Sequence, residues 1–216
     1  MNGFLISPLL KRLAAAAVIA AGAYNLLHYM GSFIILNGYW DHSLFLQHGA
    51  ILLLLGIVVP VYLRFVGLLP LGRIKQSGAH WHVLAMTVLY IGEWLFEKVT
   101  GVPQEAFMVT VFAKPPLGII STCLVIFLIA PINEEIIFRG LILNVFTLGG
   151  RWVFWLGALV SSTLFMLMHG QYQHISTLVE LFAVGMIFCS ARWHSGGLLL
   201  PALLHILAAV IAVILG

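Results

Sequence analysis

Apolar runs of membrane-spanning length fill most of this chain, and they decide its solvent before anything else about the fold. A bilayer's hydrocarbon core is about 30 Å thick and needs a helix of about 20 apolar residues to cross it. About seven runs qualify, near 12–37, 44–70, 80–98, 117–147, 151–169, 174–191 and 196–215. Charged residues make up only 8% of the 216 positions, against about 25% in a typical soluble domain. The expected fold class is therefore all-α: a polytopic transmembrane helix bundle of about seven helices, or eight with a re-entrant one. The connections are short and no repeat is visible, so 1–216 is expected to form a single integral membrane domain.

The first run superficially resembles a signal peptide, with Lys11 and Arg12 before an alanine-rich stretch. It continues to Leu36, beyond the roughly 7–15 residues of a signal core, and reads as a retained first helix. The one substantial connection, 99–116, holds Pro103, Glu105, Lys114, Pro115 and Pro116 and reads as an extramembrane loop and partial lid. With seven spans, Lys11, Arg12, Arg64, Arg73, Lys75, Arg151 and Arg192 fall on one side, and Lys98 and Lys114 on the other. The positive-inside rule puts the amino terminus in the cytoplasm and the carboxyl terminus outside. There is no basic run with interleaved aromatics, so nucleic acid is not an expected partner; the lipid bilayer is. Cys123 and Cys189 sit in apolar runs without a CxxC spacing and read as small buried hydrophobes.

The informative residues are ionisable groups inside these helices. An acid or base at a helix centre costs about 2.5–3.5 kcal/mol on insertion scales, so such groups are rare and tend to be functional. The fourth run contains Pro131-Ile132-Asn133-Glu134-Glu135-Ile136-Ile137-Phe138-Arg139-Gly140. Glu135 and Arg139 are four apart and can neutralise each other on one face. Glu134 points about 100° away and has no sequence-local partner. An unpaired buried carboxylate is suited to general-base work. Pro131, one turn earlier, can bend the helix and open room for water. His169 and His205 lie in apolar helical surroundings on two further helices and are the candidate partners of Glu134. Glu180 falls inside the sixth run and reads equally as a functional group or as a structural one paired with a polar group such as Asn144. Glu93 and Glu97 near the end of the third run read as interfacially solvated. His48 reads as an interface or loop residue, and Ser161, Ser162 and Thr163 as helix-packing residues.

Glu134 to Gly140 resembles the EExxxR motif of the CAAX-protease and bacteriocin-processing family, also called the Abi family. Phe165 through His169 resembles its FxxxH motif, and His205 the histidine of its HxxxN/D motif. The match spans about 134–209, within an expected catalytic core of about 117–216. The family includes the type II CAAX prenyl endopeptidases, which are glutamate-type intramembrane proteases. The resemblance implies that Glu134 and His169 activate water, that His205 stabilises the oxyanion, and that Glu135, Arg139 and Phe165 support them. Ala209 departs from the pattern, standing where the family has Asn or Asp; Asn133 and Asn144 are the nearest polar substitutes in sequence. A missing oxyanion donor can cost about 10²–10³ in rate.

Three functions follow as alternatives. The first is cofactor-free intramembrane proteolysis of a membrane-bound or lipid-anchored protein, such as one with a carboxyl-terminal sorting segment, in a bacterial inner membrane. The second binds zinc through Glu134, His169 and His205, an acceptable ligand set. The third is a non-catalytic scaffold, immunity protein or proton-linked carrier. HExxH is absent. At 1.5 Å per residue, His169 lies about 27 Å along its helix from Arg151, which places the site towards the outer face.

Overall fold

The computed structural model describes residues 3–75 and 78–215, and among them every regular element is helical. The helices are α1 (Gly3–Asn37), α2 (Ser43–Phe65), α3 (Ala79–Thr100), short α4 (Ala106–Phe112), α5 (Pro116–Phe146), α6 (Gly150–Met168), α7 (Ile175–Ser195) and α8 (Leu199–Leu215). Five of them, α1, α2 and α5–α7, are long and apolar enough to cross a membrane. α8 is apolar but has 17 residues, and α3 carries His80, His82, Glu93, Glu97 and Lys98 along its length.

Large apolar side chains face outward, Trp152 and Leu36 being 86% and 84% exposed, while Arg139 and Glu135 are 0% and 1% exposed. That inversion is expected where lipid is the solvent and polar groups must find partners inside the bundle. α5 is the central helix. One side of it packs Leu141 with Ile19 of α1 and Ile51, Leu55 and Tyr62 of α2. The other packs Phe138 with Phe165, Phe188 and Leu204 of α6, α7 and α8 and with Met86 of α3.

The second run ends as a helix at Phe65, five residues before the expected 70. Pro70 disfavours helical geometry at Leu69, and Gly72 takes φ +81°. The extended segment after α2 then crosses the α7–α8 turn. Arg73 N–H donates to the Ser195 carbonyl at 2.8 Å, and Leu198 and Leu199 N–H donate to Pro70 and Leu71 carbonyls at 3.0 Å. A Cβ at Gly197 would collide with the backbone of Leu71 and Gly72. Gly197 thus permits the crossing, which fixes where α8, and with it His205, enters the bundle.

Candidate active site

α5 is not uniformly α-helical. Val125–Ile129 and Glu135–Ile142 are wound as π-helix, on either side of the α-helical turn that holds Pro131 and Glu134. The first wide turn directly precedes Pro131, whose ring nitrogen has no hydrogen for the helical ladder. π-turns inside α-helices recur at functional sites.

Glu135 and Arg139 form the expected pair, with Arg139 Nη1 donating to Glu135 Oε1 at 2.9 Å. Arg139 Nη2 also donates to the Gly185 carbonyl of α7 at 3.1 Å. Its guanidinium carbon lies 4.6 Å from the Phe165 ring centre and 5.0 Å from that of Phe188. A planar, weakly hydrated cation suits such an aromatic box. Phe165, 1% exposed, also meets the His169 and His205 rings at 4.5 and 5.6 Å. The support expected of Phe165 is therefore physical contact with both histidines and the arginine.

The histidines are oriented through their Nδ1 atoms. His169 Nδ1 lies 2.7 Å from the Phe165 carbonyl. A carbonyl only accepts, so Nδ1 carries the hydrogen and neutral His169 leaves Nε2 as an acceptor. His205 Nδ1 lies 2.9 Å from Glu135 Oε1, the oxygen that Arg139 also holds. Both Nε2 atoms then converge on Glu134 Oε2, at 3.8 Å from His169 and 3.6 Å from His205. These separations exceed a direct hydrogen bond, and Glu134 Oε2 is buried without a hydrogen-bond partner. The structure thus brings together the three residues expected to carry the chemistry. They line a cavity of about 140 Å³ together with Phe107 and Met108 of α4 and Tyr172, so the 99–116 connection contributes part of its wall. A second, apolar groove of about 360 Å³ runs from Glu134 and His169 between α1, α2 and α6, past Tyr24, Leu27, Ile51 and Met168.

Several expectations are corrected. Asn144 does not pair with Glu180. Its Nδ2 donates to the Tyr62 hydroxyl at 2.8 Å, tying α5 to α2, whereas Glu180 faces a different cavity with Glu93 and Glu97. Glu93 and Glu97, both partly exposed, line that cavity as well. Ala209 lines the cavity around Glu134 with a methyl group, and neither Asn133 nor Asn144 is among its lining residues. His48 of α2 does line it, and lines the apolar groove as well. Its Nδ1 is buried without a hydrogen-bond partner, and its backbone carbonyl accepts from Asn133 Nδ2 at 2.8 Å. That bond seats His48 against the residue next to Glu134. Ser161 is a packing residue as expected, donating to the Phe138 carbonyl at 3.0 Å. Among the described residues, no group of three or more His, Cys, Asp or Glu is arranged to hold a metal ion.

Glu105, at the start of α4, is 6% exposed and accepts from the backbone N–H groups of His174 at 2.9 Å and Gln173 at 3.1 Å. Burial alone would raise its carboxyl. The His174 and Gln173 N–H groups and the Thr177 hydroxyl outweigh burial and hold it below its ordinary 4.5. A depressed acid contributes stability above its unfolded value, lost as pH falls through the folded one. Limited proteolysis of the 101–115 segment should therefore accelerate as pH drops below 4.5. Glu105→Gln should show that faster cutting at pH 7; equal cutting of both proteins at pH 7 would mean that Glu105 does not anchor the segment.

Residues 116–211 match the family described as type II CAAX prenyl endopeptidase Rce1-like. An Escherichia coli protein described as "Uncharacterized 24.3 kDa protein" is 45% identical over 185 residues, 85% of each chain. No solved structure matches the chain. Relatedness along most of the chain, together with the family match over residues 116–211, shows that this integral membrane protein belongs to the Rce1-like family of CAAX-type intramembrane proteases.

Proposed function

We propose that the protein is an intramembrane endopeptidase in which Glu134 and His169 activate water against a peptide bond of a membrane-bound or lipid-anchored protein. The observation that carries this reading is the convergence of two oriented imidazole Nε2 atoms on a Glu134 oxygen, Oε2, that is buried without a hydrogen-bond partner. Two acceptors 3.8 Å apart suit a water that directs one O–H at each. Glu134 takes the proton as the water oxygen attacks, and returns it to the amine nitrogen as the peptide bond breaks. With a proton on Nε2, His205 offers the hydrogen bond that a developing oxyanion needs. His48 lines the same cavity as Ala209 and gives it a polar side chain beyond the three motif residues. The apolar groove between α1, α2 and α6 gives a hydrophobic substrate segment, such as a carboxyl-terminal sorting segment, a path to the scissile position. An amino terminus in the cytoplasm, with α1, α2 and α3 each crossing, puts the 101–115 segment and the site beside it towards the outer face of a bacterial inner membrane.

The test is cleavage of a tail-anchored reporter co-reconstituted with the purified protein in lipid vesicles. Cleavage should persist in EDTA and 1,10-phenanthroline and fall by about 10²–10⁴-fold in His169→Ala. Full activity in His169→Ala would remove that residue from water activation. Loss of activity in chelator, restored by zinc, would move Glu134, His169 and His205 from general-base chemistry to metal binding.

A further inference from the structure

A second polar cavity, of about 100 Å³, lies between α3, α7 and the loop before α4. Its walls carry Glu93 and Glu97 from α3 and Glu180 from α7, together with the rings of Tyr90, Trp94 and Tyr172. Glu105 also borders it, but that carboxylate is already engaged by the Gln173 and His174 N–H groups. Glu180 is 8% exposed, and its Oε1, like Glu93 Oε1, is buried without a hydrogen-bond partner. Glu93 and Glu97 line the same cavity as Glu180. None of the described residues lining this cavity is Lys or Arg. Lys98 sits instead over the Trp94 ring, its Nζ 5.9 Å from the centre, and His174 engages Glu105 at 3.5 Å.

A carboxylate buried as Glu180 is, beside two partly exposed acids, is satisfied either by a proton or by a counter-charge, and a cation entering the cavity supplies the second. Aromatic faces beside them favour an organic cation, because the ring quadrupole attracts an ammonium or guanidinium group. The volume exceeds the roughly 30 Å³ share of one water and admits such a head group. No three acids among the described residues are arranged to hold a metal ion. The position is informative too. Tyr90, Met108, Tyr172, Leu181 and Ala212 line both this cavity and the catalytic one. The apolar groove reaches Glu134 from the α1–α2 side of the catalytic cavity.

We infer that this chamber is a subsite for the side chain of a substrate Lys or Arg, lying a few residues from the scissile bond, on the opposite side from the hydrophobic segment held in the α1–α6 groove. This rests on the protease reading and narrows its substrate class to peptides with an apolar run on one side of the cut and a basic residue on the other.

Two measurements separate this inference from the protease reading. The first is the thermal midpoint of the purified protein in detergent, titrated with butylguanidinium or with its neutral isostere butylurea. Butylguanidinium should raise the midpoint saturably, by about 3 °C at ten times its dissociation constant, and butylurea should not. Glu180→Gln should abolish the rise, and Glu93→Gln provides the same reading if that variant does not fold. Equal shifts from both compounds, or a shift unchanged in both variants, would overturn the subsite. The second is cleavage of tail-anchored reporters with Arg, Gln or Glu beside the cut. Wild type should prefer Arg over Gln by about tenfold and Glu180→Gln should lose the preference, whereas charge-blind cleavage by wild type would overturn the subsite while leaving the protease reading standing. Selective butylguanidinium binding with no cleavage of any reporter would support the cation site and count against the protease.

Discussion

Glu134→Gln should lower cleavage by about 10³-fold while leaving the thermal midpoint unchanged or raised. The catalytic half follows from what the amide cannot do. Gln keeps the shape of Glu but cannot accept the proton of an attacking water, and removal of a general base typically costs about 10²–10⁴. The stability half follows from the structure. Glu134 Oε2 is buried without a hydrogen-bond partner, and its neighbours are two imidazole nitrogens 3.6 and 3.8 Å away. A carboxylate held that way is costly to bury, and an amide relieves the cost. Active-site groups are often destabilising in this sense, so their removal stabilises the fold. Initial rates on the vesicle reporter and thermal midpoints in detergent measure both halves. Cleavage that persists in Glu134→Gln would end the protease assignment in favour of a scaffold, immunity protein or carrier.

The split between the two adjacent acids was legible from spacing alone. Helical geometry places residue i+4 over residue i, which is why Glu135 and Arg139 could be paired without a structure and Glu134 could not. Spacing does not say which other helix faces a given side. Asn144 and Glu180 are both polar, but Asn144 turns to Tyr62 on α2, 82 residues away, and Glu180 turns to α3. His48 carried no sequence signal because its placement depends on a bond from Asn133, 85 residues on, to its backbone carbonyl. A backbone acceptor leaves no trace in residue identity. Ala209 did mark where a polar group was wanting, but nothing in the sequence pointed from it to His48. The end of α2 at Phe65 was signalled by Pro70 and Gly72, which apolar content masked. The π-wound turns of α5 have no comparable signature; Pro131 predicts a disturbance but not its form.

Arg139 should behave in the opposite way to Glu134. Arg139→Met should cost about 3–5 kcal/mol, the range for removing one partner of a buried ion pair, and lower the thermal midpoint by about 10 °C. The methionine fills much of the space between Phe165 and Phe188, so the loss reflects charge rather than a cavity. It leaves Glu135 as a buried anion held by His205 alone and strips the Gly185 carbonyl of its donor. The double variant Glu135→Gln with Arg139→Met removes the stranded charge and should recover about half of the lost stability. Activity should not recover with it. The neutral amide that Glu135→Gln introduces binds the His205 ring less tightly than a carboxylate does, so His205 loses the anchor that aims Nε2 at Glu134. Thermal midpoints and reporter rates on the wild type, the two single variants and the double variant form one cycle. Equal destabilisation of the double variant and Arg139→Met would mean that the aromatic box, rather than the ion pair, holds α5 to α7. Joint recovery of stability and rate would show that Glu135 does not position His205.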